Sequence, residues 1–165
     1  MEEQLFDIAS YRTDEVKEKD GVVCYITTLG EKGPGFRVRF MPNDDQQALD
    51  RELSLKYHDE LSSADPEVVA ARIHKNRVEL LTKTCITEAI RFKYPGKEGE
   101  WKYTPESGYD LFVQPGYRHI LDMLMAFATS SGNYLYTPPS DEEVEKAAET
   151  VKTPSSSGKR TRKSK

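Results

Sequence analysis

The stretch VVCYITTLGEKGPGFRVRFMP, residues 22–42, gives the first indication of the fold class. Its first seven residues are β-branched or aromatic apart from one cysteine, and residues 36–40, FRVRF, alternate apolar with basic side chains. That alternation has the period of a β-strand. The intervening GEKGPG is rich in turn-forming residues. We therefore predict a β-hairpin that buries one face, leaves Arg37 and Arg39 in water and ends at Pro42.

Helices are expected after the hairpin. The first starts near Asn43 or Asp44, either of which can cap its free N–H groups, and it places apolar side chains four residues apart. The last covers the nearly apolar stretch 120–128 and ends at the breakers of residues 130–132.

The helix between these two has the clearest start in the chain. Asp65 can cap it, and Pro66 suits its first position because the missing N–H would be unpaired there. An apolar stripe with 3-4-4-3 spacing extends the prediction through residue 92: Val78, Leu81, Cys85, Ala89 and Phe92. We expect one helix over residues 66–92.

The segment that follows is rich in glycine, proline and aromatic residues, and YDLFVQ, residues 109–114, is compatible with a short strand. Its aromatic side chains either cover the core beneath long loops or form a surface that recognises a protein. The methionines of the last helix have the same two interpretations. The candidate partner-binding residues are Trp101, Tyr109, Tyr117, Leu121 and Met125.

Together these segments predict an α+β domain, predominantly α, over residues 21–136, with the N-terminal hairpin packed on about three helices. Residues 1–20 are predicted to form a flexible acidic arm. Residues 137–165 are predicted to form a flexible tail, in which a capping box of Ser140 and Glu143 starts a short acidic helix before a disordered basic end.

Nothing in the sequence indicates catalysis, a metal or a cofactor. The histidines His58, His74 and His119 stand on separate predicted helices without ligand spacing. Cys24 and Cys85 lie in apolar surroundings, which is typical of buried thiols in a reducing compartment. No secretory signal and no apolar run of bilayer length is found. We therefore expect a cytoplasmic protein that is not an enzyme and does not enter a membrane.

The end of the chain differs in charge from the rest. Residues 152–165 carry six bases and no acid, whereas the residues before them carry 18 bases and 28 acids. Such a tail gives weak, salt-sensitive attraction to nucleic acid but has no aromatic residues for base stacking. It equally suits solubilisation or contact with the acidic body of another copy. The candidate polyanion contacts are Lys159, Arg160, Arg162, Lys163 and Lys165.

The order of these segments resembles the tail assembly chaperones of long-tailed bacteriophages. The resemblance covers roughly residues 22–136: a hairpin ending FRVRFMP, a helical pair, the loop-rich WKYTPESGYDLFVQPG, a last apolar helix and then a polar tail. It implies a chaperone in the host cytoplasm that coats the apolar stripe of a tape-measure protein until tail-tube subunits polymerise around it. Self-association of the chain is a further possible interaction.

Two other interpretations stay open. The chain could be a structural virion component, such as a head–tail joining or minor capsid protein, whose basic tail touches packaged DNA. It could also be a nucleic-acid-associated adaptor, in which case its affinity for DNA would fall steeply with salt and depend on residues 152–165.

Overall fold

The computed structural model describes residues 8–138. Within these residues there are six α-helices and one three-stranded antiparallel sheet, in which the strands lie in chain order. This confirms the predicted α+β class with a helical majority. The helices are α1 (Glu15–Asp20), α2 (Asp44–Lys56), α3 (His58–Leu61), α4 (Pro66–Leu80), α5 (Pro105–Phe112) and α6 (Arg118–Thr129), and the strands are β1 (Val22–Tyr25), β2 (Gly35–Val38) and β3 (Ile86–Ile90).

The predicted hairpin is formed by β1 and β2. Cys24 lies opposite Phe36 in the register, and both side chains are buried. Arg37 points to the other face, where its Nε lies 3.0 Å from Oε2 of Glu88 on β3. A side chain on Gly35 would come within 2.8 Å of the Cys24 carbonyl oxygen, so glycine permits this close approach of the two strands.

Both predicted helix starts before the third strand are confirmed. The Asn43 side chain accepts a hydrogen bond from the Gln46 N–H at 2.9 Å and caps α2. The Asp65 carboxylate accepts one from the Glu67 N–H at 2.9 Å and caps α4, with Pro66 at the first helical position. These caps satisfy N–H groups that have no partner inside the helix.

The single helix predicted over residues 66–92 is wrong beyond Leu80. There the chain makes a π-turn over Leu81–Cys85 and continues as β3, which pairs with β2. Thr82 and Thr84 donate their hydroxyls to carbonyls four residues earlier, at 2.8 and 2.6 Å. Such bonds bend a helix, and the β-branched residues that follow favour a strand. The apolar stripe correctly indicated that these side chains are buried. Beyond Leu80, however, they are buried by a turn and a strand and not by a helix.

The short strand considered at residues 109–114 is likewise wrong, because most of that segment belongs to α5. Thr104 caps this helix in a capping box: its hydroxyl accepts from the Ser107 N–H at 3.2 Å, and the Ser107 hydroxyl accepts from the Thr104 N–H at 3.1 Å. A side chain on Gly108 would come within 2.7 Å of the Tyr103 ring, so α5 packs closely on that ring.

The core lies between one face of the sheet and the helices α4, α5 and α6. Phe36 is at its centre, and its ring centroid lies 4.7 Å from that of Phe92, 5.9 Å from that of Trp101 and 5.7 Å from that of Phe112. Aromatic pairs at such distances stabilise a core beyond the area they bury. α6 contributes the buried residues Leu121, Leu124 and Ala128.

The N-terminal arm is tied to the domain over part of its length. Thr13 pairs with Leu135 in an isolated antiparallel bridge, the Asp14 N–H donates to the Tyr134 carbonyl at 2.8 Å, and the Tyr136 N–H donates to the Arg12 carbonyl at 3.0 Å. The predicted boundary at residue 21 is therefore too late, because residues 12–20 belong to the folded unit.

The predictions for residues 1–7 and 139–165, including the acidic helix and the basic end, lie outside the described residues.

Candidate partner-binding surface on α6

The five predicted partner-binding residues do not form one surface. Trp101 and Leu121 are buried inside the domain, so the prediction is wrong for these two: they hold the core together and offer no surface to a partner. Tyr109, Tyr117 and Met125 are half-buried and pack against the core.

The aromatic loop before α5 covers the core. The Trp101 indole N–H donates to the Ser107 hydroxyl at 3.0 Å, and the Tyr103 hydroxyl donates to the Thr82 carbonyl at 2.8 Å. Burial raises the pKa of Tyr103 far above its ordinary value. The Tyr94 ring meets the Trp101 ring edge-on at 5.3 Å. Of the two interpretations of this segment, the structure favours the one in which its aromatic rings close the core.

α6 is held firmly at its C-terminal end. The carbonyl of Ala128 accepts a hydrogen bond from the Met41 N–H at 2.8 Å, and the side chain of Asn133 donates to the Phe127 carbonyl at 3.0 Å. Two of the carbonyls that a helix leaves without internal partners are thus satisfied by the surrounding fold. The position and rotation of α6 are therefore fixed against the sheet.

Beside its buried face, α6 carries a row of apolar side chains that are only partly buried: Ile120, Met123 and Phe127. Their i, i+3, i+7 spacing places them along one side of the helix. We call this row the α6 strip. Asp122 lies on the opposite flank of α6, where its Oδ1 accepts from Arg77 of α4 at 3.1 Å. The strip therefore lies on the side of α6 away from this ion pair.

The chain segment that carries Met123 and Phe127 of the α6 strip is uncharged. From Met123 to Ser140 the chain has no acid and no base, although 32% of its residues overall are charged. Of the residues selected from the sequence at i, i+4 spacing from Tyr117, Leu121 is buried, whereas Tyr117 and Met125 are partly buried like the residues of the strip. The sequence did contain the relevant signal, because a stretch that is apolar on nearly all sides has more apolar surface than one core contact can bury.

The described residues were also searched for a metal site, a reactive thiol and a membrane-spanning helix. Between residues 8 and 138, no group of three or more His, Cys, Asp or Glu side chains could hold a metal ion. Cys24 and Cys85 are buried, and burial raises the pKa of both thiols, which disfavours the reactive thiolate. In the same part of the chain, no helix combines the length and apolar character needed to cross a membrane.

Comparison of the chain with known protein families, curated proteins and solved structures gives no match. The candidate polyanion contacts Lys159, Arg160, Arg162, Lys163 and Lys165 lie outside the described residues. Among the described features, we base the functional proposal on the α6 strip.

Proposed function

We propose that this protein is a non-enzymatic tail assembly chaperone of a bacteriophage, which binds apolar helical segments of a tape-measure protein in the host cytoplasm. The observation that carries the proposal is the α6 strip, three partly exposed apolar side chains at helical spacing, of which Met123 and Phe127 lie in a segment without acids or bases. A partner helix presents its own apolar residues at the same spacing, so its ridges can pack along the strip.

The composition of the strip supports reversible binding to varied sequences. Met123 is flexible and polarisable, so it can adapt to different partner side chains, whereas Phe127 supplies a rigid apolar surface. Because all three side chains are already partly buried, the area left for a partner is small. Small interfaces are typical of transient complexes, and a chaperone has to release its client when tail-tube subunits polymerise.

The charge of the chain supports the same role. A net charge of −4 keeps a complex with an apolar client soluble, and the strip itself adds no charge that would have to be buried. In this proposal several copies bind along one tape-measure protein, each covering a short part of its apolar stripe.

Co-expression with the tape-measure protein encoded in the same genome tests the proposal. The chain is expected to keep that protein in the soluble fraction and to co-purify with it. Met123→Glu places a charge in the strip and is expected to weaken capture by roughly tenfold or more, about 1.4 kcal/mol. Thr129→Glu adds the same charge at an exposed position of α6 outside the strip and is expected to bind like the unaltered chain.

Three results would overturn the proposal. Equal capture by both variants would remove the α6 strip from the interaction. Recovery of the protein in stoichiometric amounts from finished particles would favour the structural virion component. DNA binding that falls steeply with salt and is lost without residues 152–165 would favour the nucleic-acid-associated adaptor.

A further inference from the structure

The first strand of the sheet has an open edge. The strand order is β1-β2-β3, and β2 is the main neighbour of β1 among the described elements. The Ile26 N–H donates to the Pro34 carbonyl at 3.1 Å, and this pair directly continues the β1–β2 register. Because bonded and non-bonded pairs alternate along an antiparallel ladder, Cys24 is also bonded to β2, and Val23 and Tyr25 direct their N–H and carbonyl groups to the open edge.

These outward groups have no partner in the described part of the chain. Among residues 8–138, no hydrogen bond reaches the N–H or the carbonyl of Val23 or Tyr25. The side chains of both residues are half-buried on the face of the sheet opposite the core, where they flank Gly35. An edge strand with free backbone groups is a template on which another strand can pair.

The opposite edge of the sheet, along β3, is protected. The β2–β3 register contains a bulge, and the exposed Glu88 places a charge on this strand. Residues 98–103 run beside β3, since they line one depression together with residues 87–89. A bulge, a charged side chain and a covering loop are ways in which proteins keep an edge strand from pairing. β1 differs on the first two counts, because its register is regular and residues 22–28 carry no charge.

We propose that β1 pairs with β1 of a second copy of this chain, antiparallel across a two-fold axis, so that two sheets join into one. With the axis beside Cys24, Val23 of each copy lies opposite Tyr25 of the other, and each of these pairs exchanges both backbone hydrogen bonds. A two-fold contact requires a patch that is complementary to itself. β1 meets this requirement, because its outward groups lie one residue on either side of the axis and an aromatic side chain meets a β-branched one.

Charge separates this contact from one made by the basic tail. Residues 22–28 are uncharged, so no like charges meet when two copies of β1 pair, and salt should leave the pairing unchanged. A basic tail that contacts the acidic body of another copy would be released by salt. The paired segment is short, so the interface is small and the dimer is expected to be a weak, concentration-dependent one.

Sedimentation equilibrium of the full chain tests the proposal. Dimers are expected to form as the protein concentration rises from roughly 10 μM to 1 mM, at low and at high salt alike. Val23→Pro removes an outward N–H, which an edge strand tolerates, and is expected to raise the dimer dissociation constant roughly tenfold or more. The matched control, Val23→Thr, keeps the N–H and the β-branched shape and is expected to dimerise like the unaltered chain.

Amide hydrogen exchange of the unaltered chain, resolved by residue with NMR, gives a second measurement that needs no variant. The amides of Val23 and Tyr25 are expected to exchange several-fold more slowly at the highest protein concentration than at the lowest, because pairing takes them out of water. The amides of β3, on the protected edge, are expected to keep their rates.

Four results would overturn the proposal. A chain that stays monomeric at every concentration would exclude the pairing, and dimers that dissociate in high salt would assign the contact to charged segments. Equal dimerisation of Val23→Pro and Val23→Thr, with unchanged exchange at Val23 and Tyr25, would place the contact on another surface. Slow exchange of these two amides at every concentration would show that β1 is already paired within one copy.

Discussion

Two regions of the domain, the core around α6 and the corner around α2 and α3, are stabilised by different interactions. Around α6 and the sheet, apolar residues from nearly every element meet in one core. In the corner formed by α2, α3 and the first turns of α4, Leu53 is the buried side chain. There Arg72 bonds both carboxylate oxygens of Glu60, at 2.8 and 3.1 Å, and its guanidinium lies 3.6 Å from the Tyr57 ring.

This difference indicates where the molecule is rigid and where it can open. Burial in a close-packed core fixes the position of α6, whereas an exposed corner with few apolar contacts can unfold locally at low free-energy cost. The α6 strip lies on the helix whose position the core fixes. A surface that has to present three side chains at fixed spacing is best supported there.

The largest expected effect comes from a cavity in the core. Leu124→Ala should lower the free energy of unfolding by about 2–5 kcal/mol, because Leu124 is fully buried on the core side of α6. Leu55→Ala, at an 80% exposed position of α2, is the matched control and should change it by less than about 0.5 kcal/mol. Urea unfolding measures both. Similar losses in the two variants would show that the burial of Leu124 does not account for its contribution.

A smaller effect is expected from one buried hydroxyl. The Tyr134 hydroxyl donates to the Val38 carbonyl at 3.0 Å, so Tyr134→Phe should cost about 1–2 kcal/mol at pH 8. Burial also raises the pKa of Tyr134 well above its ordinary value of 10. Above pH 10 the unfolded chain loses this proton while the folded chain keeps it, so stability falls as pH rises.

The variant with Phe lacks this ionisable group. Its free energy of unfolding should therefore fall less between pH 8 and pH 10.5 than that of the unaltered chain, with the remaining fall due partly to Tyr103. An equal fall in both proteins would mean that Tyr134 does not contribute to the alkaline loss.

The smallest effects are expected from the ion pairs. Arg72→Ala removes a bidentate pair and a contact with the Tyr57 ring, and should cost about 1 kcal/mol. Arg37→Ala breaks an exposed pair with Glu88 on the sheet and should cost at most a few tenths of a kcal/mol. Hydrogen exchange in Arg72→Ala should speed up in α3 and the start of α4 and leave α6 unchanged. Faster exchange throughout would show one cooperative unit.

Features that depend on residues close together in the sequence were predictable. The hairpin and the caps at Asn43 and Asp65 need only a few adjacent residues, and all are found. The third strand was not predictable from the apolar stripe, because the same residues are buried in either geometry and β2 supplies the partner that stabilises a strand. Thr82 and Thr84 were the local sign that the helix would not continue.

The candidate surface was predictable only in part. The sequence shows that α6 is nearly apolar, but which side remains exposed depends on where the sheet, α4 and α5 pack against it. Trp101 was mistaken for a surface residue because loops usually lie outside, whereas here the loop folds over Phe36. The methionines of α6 were considered from the sequence, but the grouping of Met123 with Ile120 and Phe127 followed only once the buried side of α6 was known.

The pairing of Thr13 with Leu135 also governs how the molecule responds to tension. Its flanking hydrogen bonds, between residues 12 and 136 and between residues 14 and 134, lie in sequence from the outside inward. A force that pulls the two chain ends apart loads these bonds one after another, as in unzipping. The bond beside Tyr134, whose side chain is buried in the core, is therefore loaded last, after the outer bond between residues 12 and 136.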